Sequence, residues 1–371
     1  MLRHRIEPRA DWRERARSIG FDFAEIDGAL YWDETAYWEF SAAEVDTLDD
    51  VTTELQGLCM QAAKTAVSRG LFGPLGIPEA VWPTVVRSWE RREPSLYGRM
   101  DLRWDGASAP LLLEYNADTP TALFEASVVQ WEWLTCLFPG SDQFNSMHET
   151  LIAAWAGMGL PETVHFSCMR DSAEDRTTVE YLRDTCVQAG MAAPFLYVDE
   201  IGWDGQRFVD LATLPISAMF KLYPWEFLLR DKFGANVTGA ATRWIEPAWR
   251  MLLSGKGILA LLWEMFPGHP NLLPAYREAG RTGGAEIRKP LWGREGANTS
   301  SPAGVTGGPY GAEGSVYQAY AELPCVDGRY PVIGSWVIGG RSCGVGIRED
   351  ETPITRDTSR FVPHRFETSS D

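Results

Sequence analysis

The chain has 371 residues, 45% of them hydrophobic, and 51 acidic against 34 basic side chains give a formal net charge of -17. That length supports a sizeable core, more than one compact unit usually carries. The charge excludes an ordinary nucleic-acid binder, because no Lys/Arg cluster supplies the basic footprint that phosphates require, and no apolar run reaches the ~20 residues of a membrane span.

In chain order, residues 1–95 read as mainly helical. Within them 43–69 sets Val45, Leu48, Val51, Leu55, Leu58 and Ala62 at helical spacing and stops before Gly70. Residues 96–116 predict a hairpin: YGRMDLRW, a turn containing Asp105-Gly106, then LLLEYN. Thr119 suits an N-cap and Pro120 the first position of an apolar helix over 121–138. From 160 to 222 strand and helix alternate: TVHFSCM a strand, 174–188 a helix, PFLYVDE and PISAMFKLY two strands, an α/β unit with parallel pairing. Residues 246–266 are helical but broken at Ser254-Gly255-Lys256-Gly257. The last third is β-rich. AEIRKPLW and SVYQAYAEL flank a Gly/Ser/Pro-rich loop, PVIGSWVI and SCGVGIRE form a hairpin across Gly339-Gly340, and the polar tail after Thr352 is irregular. The expected parts are 1–155, helical plus the hairpin; 156–245, an α/β substrate unit; and 246–371, nucleotide-binding.

The sixteen Trp read as core and contact residues. The six Cys lack CxxC spacing and no signal peptide precedes them, so reduced thiols in the cytoplasm are expected; the five His are too scattered for zinc.

The chemistry gathers at the hairpin. With Leu111 and Leu113 on the buried face, period two puts Glu114 and Asn116 on the opposite one, with Leu112. A turn centred between Ala107 and Ser108 sets Asp101 opposite Glu114 and Arg99 opposite Asn116. Two facing carboxylates are unfavourable unless a cation separates them, and Asp101, Glu114 and Asn116 carry the oxygen donors that a hard cation such as Mg²⁺ prefers. Arg99 could neutralise a transferring phosphoryl group. The bland alternative is a salt-bridged, solvated face. Lys256 and Lys289, with Gly293 and Gly296 behind the second, suit phosphate oxygens, although the spacing is not that of a P-loop; 297–314 is either a disordered insertion or a lid. Gln318, Tyr320 and Glu322 share one strand face that could offer groups to a purine base, or be an ordinary half-buried strand. Glu174 and Asp175 open a helix, where acids usually serve as dipole partners; the functional alternative is an ammonium site.

Taken together YGRMD, LLLEYNADTPTALFEA, EPAWRMLLSGKGILALLWEMFPGHPNLLPAY, KPLWGREGAN, VYQAYAELP and GRYPVIGSWVIGG resemble the synthetase domain of glutathionylspermidine synthetases, a branch of the ATP-grasp enzymes, from about residue 10 to about 365. The resemblance implies a mixed α/β (α+β) ATP-grasp fold with an inserted α/β substrate domain. It implies ATP- and Mg²⁺-dependent ligation of a peptide carboxylate to an amine through an acyl phosphate. It assigns Asp101, Glu114 and Asn116 to Mg²⁺; Arg99 to ATP and the reacting phosphoryl group; and Lys256, Lys289, Gly293, Gly296, Gln318, Tyr320 and Glu322 to the nucleotide. Thr119 falls on a peptide-substrate position, and Glu174 and Asp175 fall near an acidic substrate pair. The chain departs from the family in having Gly255 before the Lys-Gly pair and Glu-Asp at the acidic pair. It begins directly with the ligase, so amidase activity is not expected. The implied partners are two small molecules, a glutathione-like peptide and a polyamine such as spermidine, with neither nucleic acid nor membrane. A phosphotransferase that stops at the acyl phosphate, a different peptide and amine pair, and a nucleotide- or polyamine-binding protein without turnover are the alternatives.

Overall fold

The computed structural model describes residues 1–367 apart from Asp27, Glu295 and Asp357. Helix α1, Ala42–Arg69, is delimited by local chemistry at both ends. Ser41 accepts from the Glu44 N–H at 3.2 Å while the Glu44 carboxylate accepts from the Ser41 N–H at 2.9 Å, and Gly70 closes the helix in the left-handed region at φ 66°. The strands β1, Tyr97–Arg103, and β2, Leu111–Asn116, form the expected hairpin. Helix α2 is Ala173–Gln188 and helix α3 is Gly257–Met265. Four further strands follow: β3, Glu286–Pro290; β4, Ser315–Ala319; β5, Tyr330–Ile338; and β6, Arg341–Asp350.

Two antiparallel sheets frame the molecule. One has the order Arg360–Val362, β6, β5, β1, β2; the other has Ala275–Tyr276, β4, β3, Ser300–Ser301, Gly304–Val305. Met100 and Leu102 of β1 point into the core that α1 covers, and the Thr52 and Ser335 hydroxyls meet across that interface at 2.7 Å. Arg99 and Asp101 therefore point the other way, as period two requires. On that face glycines replace side chains that would collide. A Cβ at Gly334 would lie 2.7 Å from Arg99 Cδ, and one at Gly346 would lie 3.1 Å from Ala126 Cβ. A third sheet of parallel strands, Arg243–Ile245, Ala218–Leu222 and His165–Cys168, packs with α2 as the expected α/β unit. Most of the sixteen Trp are buried, among them Trp32, Trp38, Trp133, Trp155, Trp225 and Trp336. Among the described residues no helix is long and apolar enough to cross a membrane.

Several expectations change. The first 95 residues contain not only helices but the strands Leu2–Arg5 and Ala36–Phe40. The tail is not wholly irregular: Arg360–Val362 and His364–Glu367 complete two sheets, the second pairing in parallel with Ala36–Phe40, while residues 368–371 lie outside the described residues. PFLYVDE is not a strand but a segment touching the parallel sheet at one bridge, Phe166 to Phe195, and ending in the short helical turn Val198–Glu200. The loop after β3 carries the small hairpin Ser300–Ser301/Gly304–Val305, docked on β3 through Arg288 and Ser300, so it is not structureless.

Candidate active site

The β1–β2 register is the one expected from the turn: Arg99 faces Asn116 and Asp101 faces Glu114. Three cations and an amide satisfy the two carboxylates. Arg99 donates to both Asp101 oxygens at 2.7 and 3.1 Å, and Arg348 reaches Asp101 Oδ2 at 2.7 Å. Lys256 lies 2.9 Å from Glu114 Oε2, and the Asn116 amide bridges Glu114 and Asp101 at 3.2 and 3.4 Å. Desolvation works against the charge of Glu114, but Lys256 and Lys289 outweigh it and hold its carboxyl well below the usual carboxylate range. Burial likewise opposes the Arg99 charge, and Asp101 more than offsets it.

The β2 ladder slips by one residue past Asp101, a bulge at Leu113. It moves Leu112, not Leu111 or Leu113, into the core with Tyr115, so Leu112 does not share the face of Glu114 and Asn116 as period two had placed it. It also leaves backbone carbonyls open toward the second sheet. Leu113 O accepts from Lys289 Nζ at 2.8 Å and Leu112 O from the Gln318 amide at 3.0 Å. Lys289 Nζ also donates to Gln318 Oε1 at 2.8 Å, which explains why both side chains are buried. Burial lowers the pKa of Lys289 to about 8, with Glu114 opposing the shift. Lys256 Nζ donates to Gly293 O at 2.6 Å, tying the glycine loop to the carboxylate face.

Beyond Asn116 the chain departs from the simple helix cap. Thr119 and Pro120 precede the helix rather than starting it: Ala122 is left-handed at φ 65°, and a π-turn spans Glu125–Val129 before Gln130–Leu137. A non-glycine residue held at positive φ, followed by a π-turn, is a costly combination that gathers at functional sites. It frees Thr121 O to accept from Arg99 at 2.7 Å, and the Thr119 hydroxyl to accept from Arg294 at 2.9 Å. Arg294 also binds Glu226 at 2.8 Å. Glu125, fully buried, accepts from Tyr31 at 2.7 Å, while its other oxygen has no partner among the described residues. Burial, then Glu174, push its carboxyl up to about 8. Glu174 is raised in turn by desolvation, against the Thr121 hydroxyl and Arg348.

One cleft brings together Arg99, Asp101, Glu114, Asn116, Thr119, Glu174, Lys256, Lys289, Gly293, Gly296, Gln318 and Tyr320. Two expected residues do not line it. Glu322 follows the end of β4, has an exposed side chain and offers only its carbonyl, to Arg103 at 3.0 Å. Asp175 lies in the first turn of α2, where its N–H donates to the Ser172 cap at 3.1 Å. Tyr31, Arg294 and Arg348 line the cleft without having been expected, and Glu125 lies behind it. Arg348 had a signal: it shares a strand face with Gly344 and Gly346, and glycines repeated on one face mark close approach. Arg294 sits between Gly293 and Gly296 in the loop already singled out. Glu125 is a lone acid in an apolar helical stretch. Tyr31 had no local signal. Two carboxylates and an amide on one face, beside two lysines, are a donor set fit for a hard cation with bound phosphate oxygens.

The profile of the family described as "Glutathionylspermidine synthase preATP-grasp" matches residues 3–367. The chain belongs to this family, a family of ligases. A protein of Haemophilus influenzae described as "Putative acid--amine ligase" is 41% identical over 96% of this chain and 97% of its own length. A trypanothione synthetase of Crithidia fasciculata is 28% identical over 78% of this chain and 50% of its own. A bifunctional glutathionylspermidine synthetase/amidase of Escherichia coli K12 is 27% identical over 88% and 58%. The chain thus spans about half the length of the latter two.

Proposed function

We propose that the protein is an ATP- and Mg²⁺-dependent acid–amine ligase, forming an amide through an acyl phosphate and joining a glutathione-like peptide to a polyamine such as spermidine. The observation that carries this reading is the single cleft in which Asp101, Glu114 and Asn116 meet Lys256 and Lys289. Asp101, Glu114 and Asn116 would hold the metal, which when bound supplies charge neutralisation between phosphate oxygens. Lys256, Lys289 and the backbone at Gly293 and Gly296 bind the phosphates, and Gln318 to Tyr320 edge the base. Arg99, fixed by Asp101 and Thr121, aims a permanent positive charge where phosphoryl charge develops. Glu174, which lines the cleft beside Thr121, is the carboxylate that would hold an ammonium while another nitrogen, deprotonated, attacks the acyl carbon. Positioning and electrostatics would supply most of the acceleration. The substrate pair rests on the names of the relatives, and six unpaired cysteines suit the cytoplasm.

ADP release tests the reading. Release is expected only when a peptide acid and an amine are both present, with glutathione and spermidine the first pair. Release that needs no amine would convert the reading to a phosphotransferase; none with any pair would leave a binding protein.

A further inference from the structure

A second hollow, enclosing about 600 Å³, shares no lining residue with the cleft. That volume is within the ~300–1,000 Å³ of small-molecule pockets. Its walls come from four separate stretches: the end of the Trp82–Glu90 helix with the residues after it, a turn at 158–160, Trp225, and 237–248. Four arginines line it, Arg87, Arg91, Arg92 and Arg243. In a chain of net charge -17 most guanidiniums could be expected to find an acid, and many do. None of these four has a carboxylate partner among the described residues. Arg87 donates to Thr238 O at 2.6 Å and Arg243 to Gly159 O at 2.7 Å, neutral acceptors that leave the charges uncompensated. The one acid in the lining, Glu93, is engaged by the Ser88 hydroxyl at 2.6 Å.

A plainer account exists for part of this. Basic residues are favoured in the last turn of a helix, which covers Arg87 and Arg91. It does not cover Arg243, which opens a strand of the parallel sheet and faces the same hollow. Arg92, left-handed at φ 51°, belongs to the same helix end, where its N–H closes on Trp89 O and the Glu93 N–H on Ser88 O, so Arg243 is the guanidinium that the helix end does not explain. The floor is aromatic, with Trp225 and Trp244, and the Trp244 indole N–H is buried without a partner among the described residues. Guanidiniums offer paired N–H donors that match the two oxygens of a carboxylate or phosphate.

We propose that this hollow is a second ligand site, separate from the cleft, that takes a small multiply charged oxyanion: a polycarboxylate or a phosphate ester. Calorimetric titration of the full chain, free of nucleotide and divalent metal, with citrate and with pyrophosphate tests it. Arg91 and Arg243 are exposed side chains, and the Arg243 hydrogen bond to Gly159 O is itself at the surface, so Arg91→Ala/Arg243→Ala is expected to stay folded, with a small change at most in thermal midpoint, and to keep the ADP affinity of the native protein. It should lose at least ~10-fold in affinity for the preferred anion, with Arg91→Lys/Arg243→Lys falling between. Tighter binding of citrate assigns a carboxylate ligand, and of pyrophosphate a phosphate one. Absence of binding by the native protein, or equal affinity in the alanine variant, overturns the site.

Discussion

Glu114 and Glu125 belong to one neighbourhood, both interacting with Arg99, yet their carboxyls are driven in opposite directions. Both suffer desolvation. Glu114 has Lys256 and Lys289 beside it, and attraction wins; its carboxyl stays ionised. Glu125 has a phenol and another carboxylate, Glu174, and burial wins; its carboxyl is raised to about 8. The difference lies in neighbours and in depth together: the Glu114 side chain is 26% exposed in the cleft, while Glu125 is fully buried behind it. The lysine side of the cleft keeps anionic oxygens ready for a cation and phosphates, while the helix side holds a carboxyl that keeps its proton up to about pH 8.

The sharpest way to break this contrast is to remove the ionised carboxylate. Glu114→Ala is expected to lower ADP production by about 10³-fold with the fold intact by circular dichroism, since it deletes a carboxylate from the proposed metal face and releases Lys256. Normal turnover by that folded variant would remove Glu114 from the site. The lysine side can next be weakened from the other partner. Lys289→Ala should raise the Kd for ATP about 10- to 100-fold in calorimetry, and it strips the donor from Leu113 O and Gln318 Oε1, costing about 1–3 kcal/mol of stability. The native protein offers a pH test of the same group. Its pKa in the fold, about 8, is depressed from 10.5, so between those values the unfolded chain binds more protons. The contribution of Lys289 to stability therefore rises with pH across that window, while nucleotide affinity falls as pH passes 8. An affinity flat from pH 7 to 9 would argue that Lys289 does not meet phosphate.

How much of this was legible depends on the range of the interaction. The Arg99–Asn116 and Asp101–Glu114 register follows from a short turn and period two, so it could be read locally. The bulge at Leu113 could not. It is fixed by Lys289 and Gln318, more than 170 residues away, which need open carbonyls on β2. Strands at Leu2–Arg5 and His364–Glu367 are stabilised by pairing between the two ends of the chain through Ala36–Phe40, and short segments carry no sign of that. Thr119-Pro120 has the composition of a helix cap, yet the hydroxyl serves Arg294 instead; tertiary demand overrode a local preference. The lysines, glycines and Gln318 were readable because each brings a chemistry that its sequence neighbours do not explain. Tyr31 and Arg348 act through residues brought near only by folding.

The proton on the helix side can be tested without touching the cleft lining. Glu125 has a folded pKa of about 8 against an ordinary 4.5, so the fold binds the extra proton between those values. By linkage the contribution of this group to stability is full below 4.5 and is lost as pH rises to 8. Gln in its place cannot ionise, keeps an oxygen for the Tyr31 hydroxyl and fills the same volume. Glu125→Gln should thus match the native protein in urea unfolding at pH 5 and exceed it by about 2 kcal/mol at pH 9, less than the full shift would give because Glu174 shares the proton. Parallel stability curves for the two proteins would mean that Glu125 is ionised throughout. The contrast in protonation with Glu114 would then disappear. If the curves diverge, Glu125 carries its proton in the fold up to about pH 8, and the opposite shifts of Glu114 and Glu125 stand.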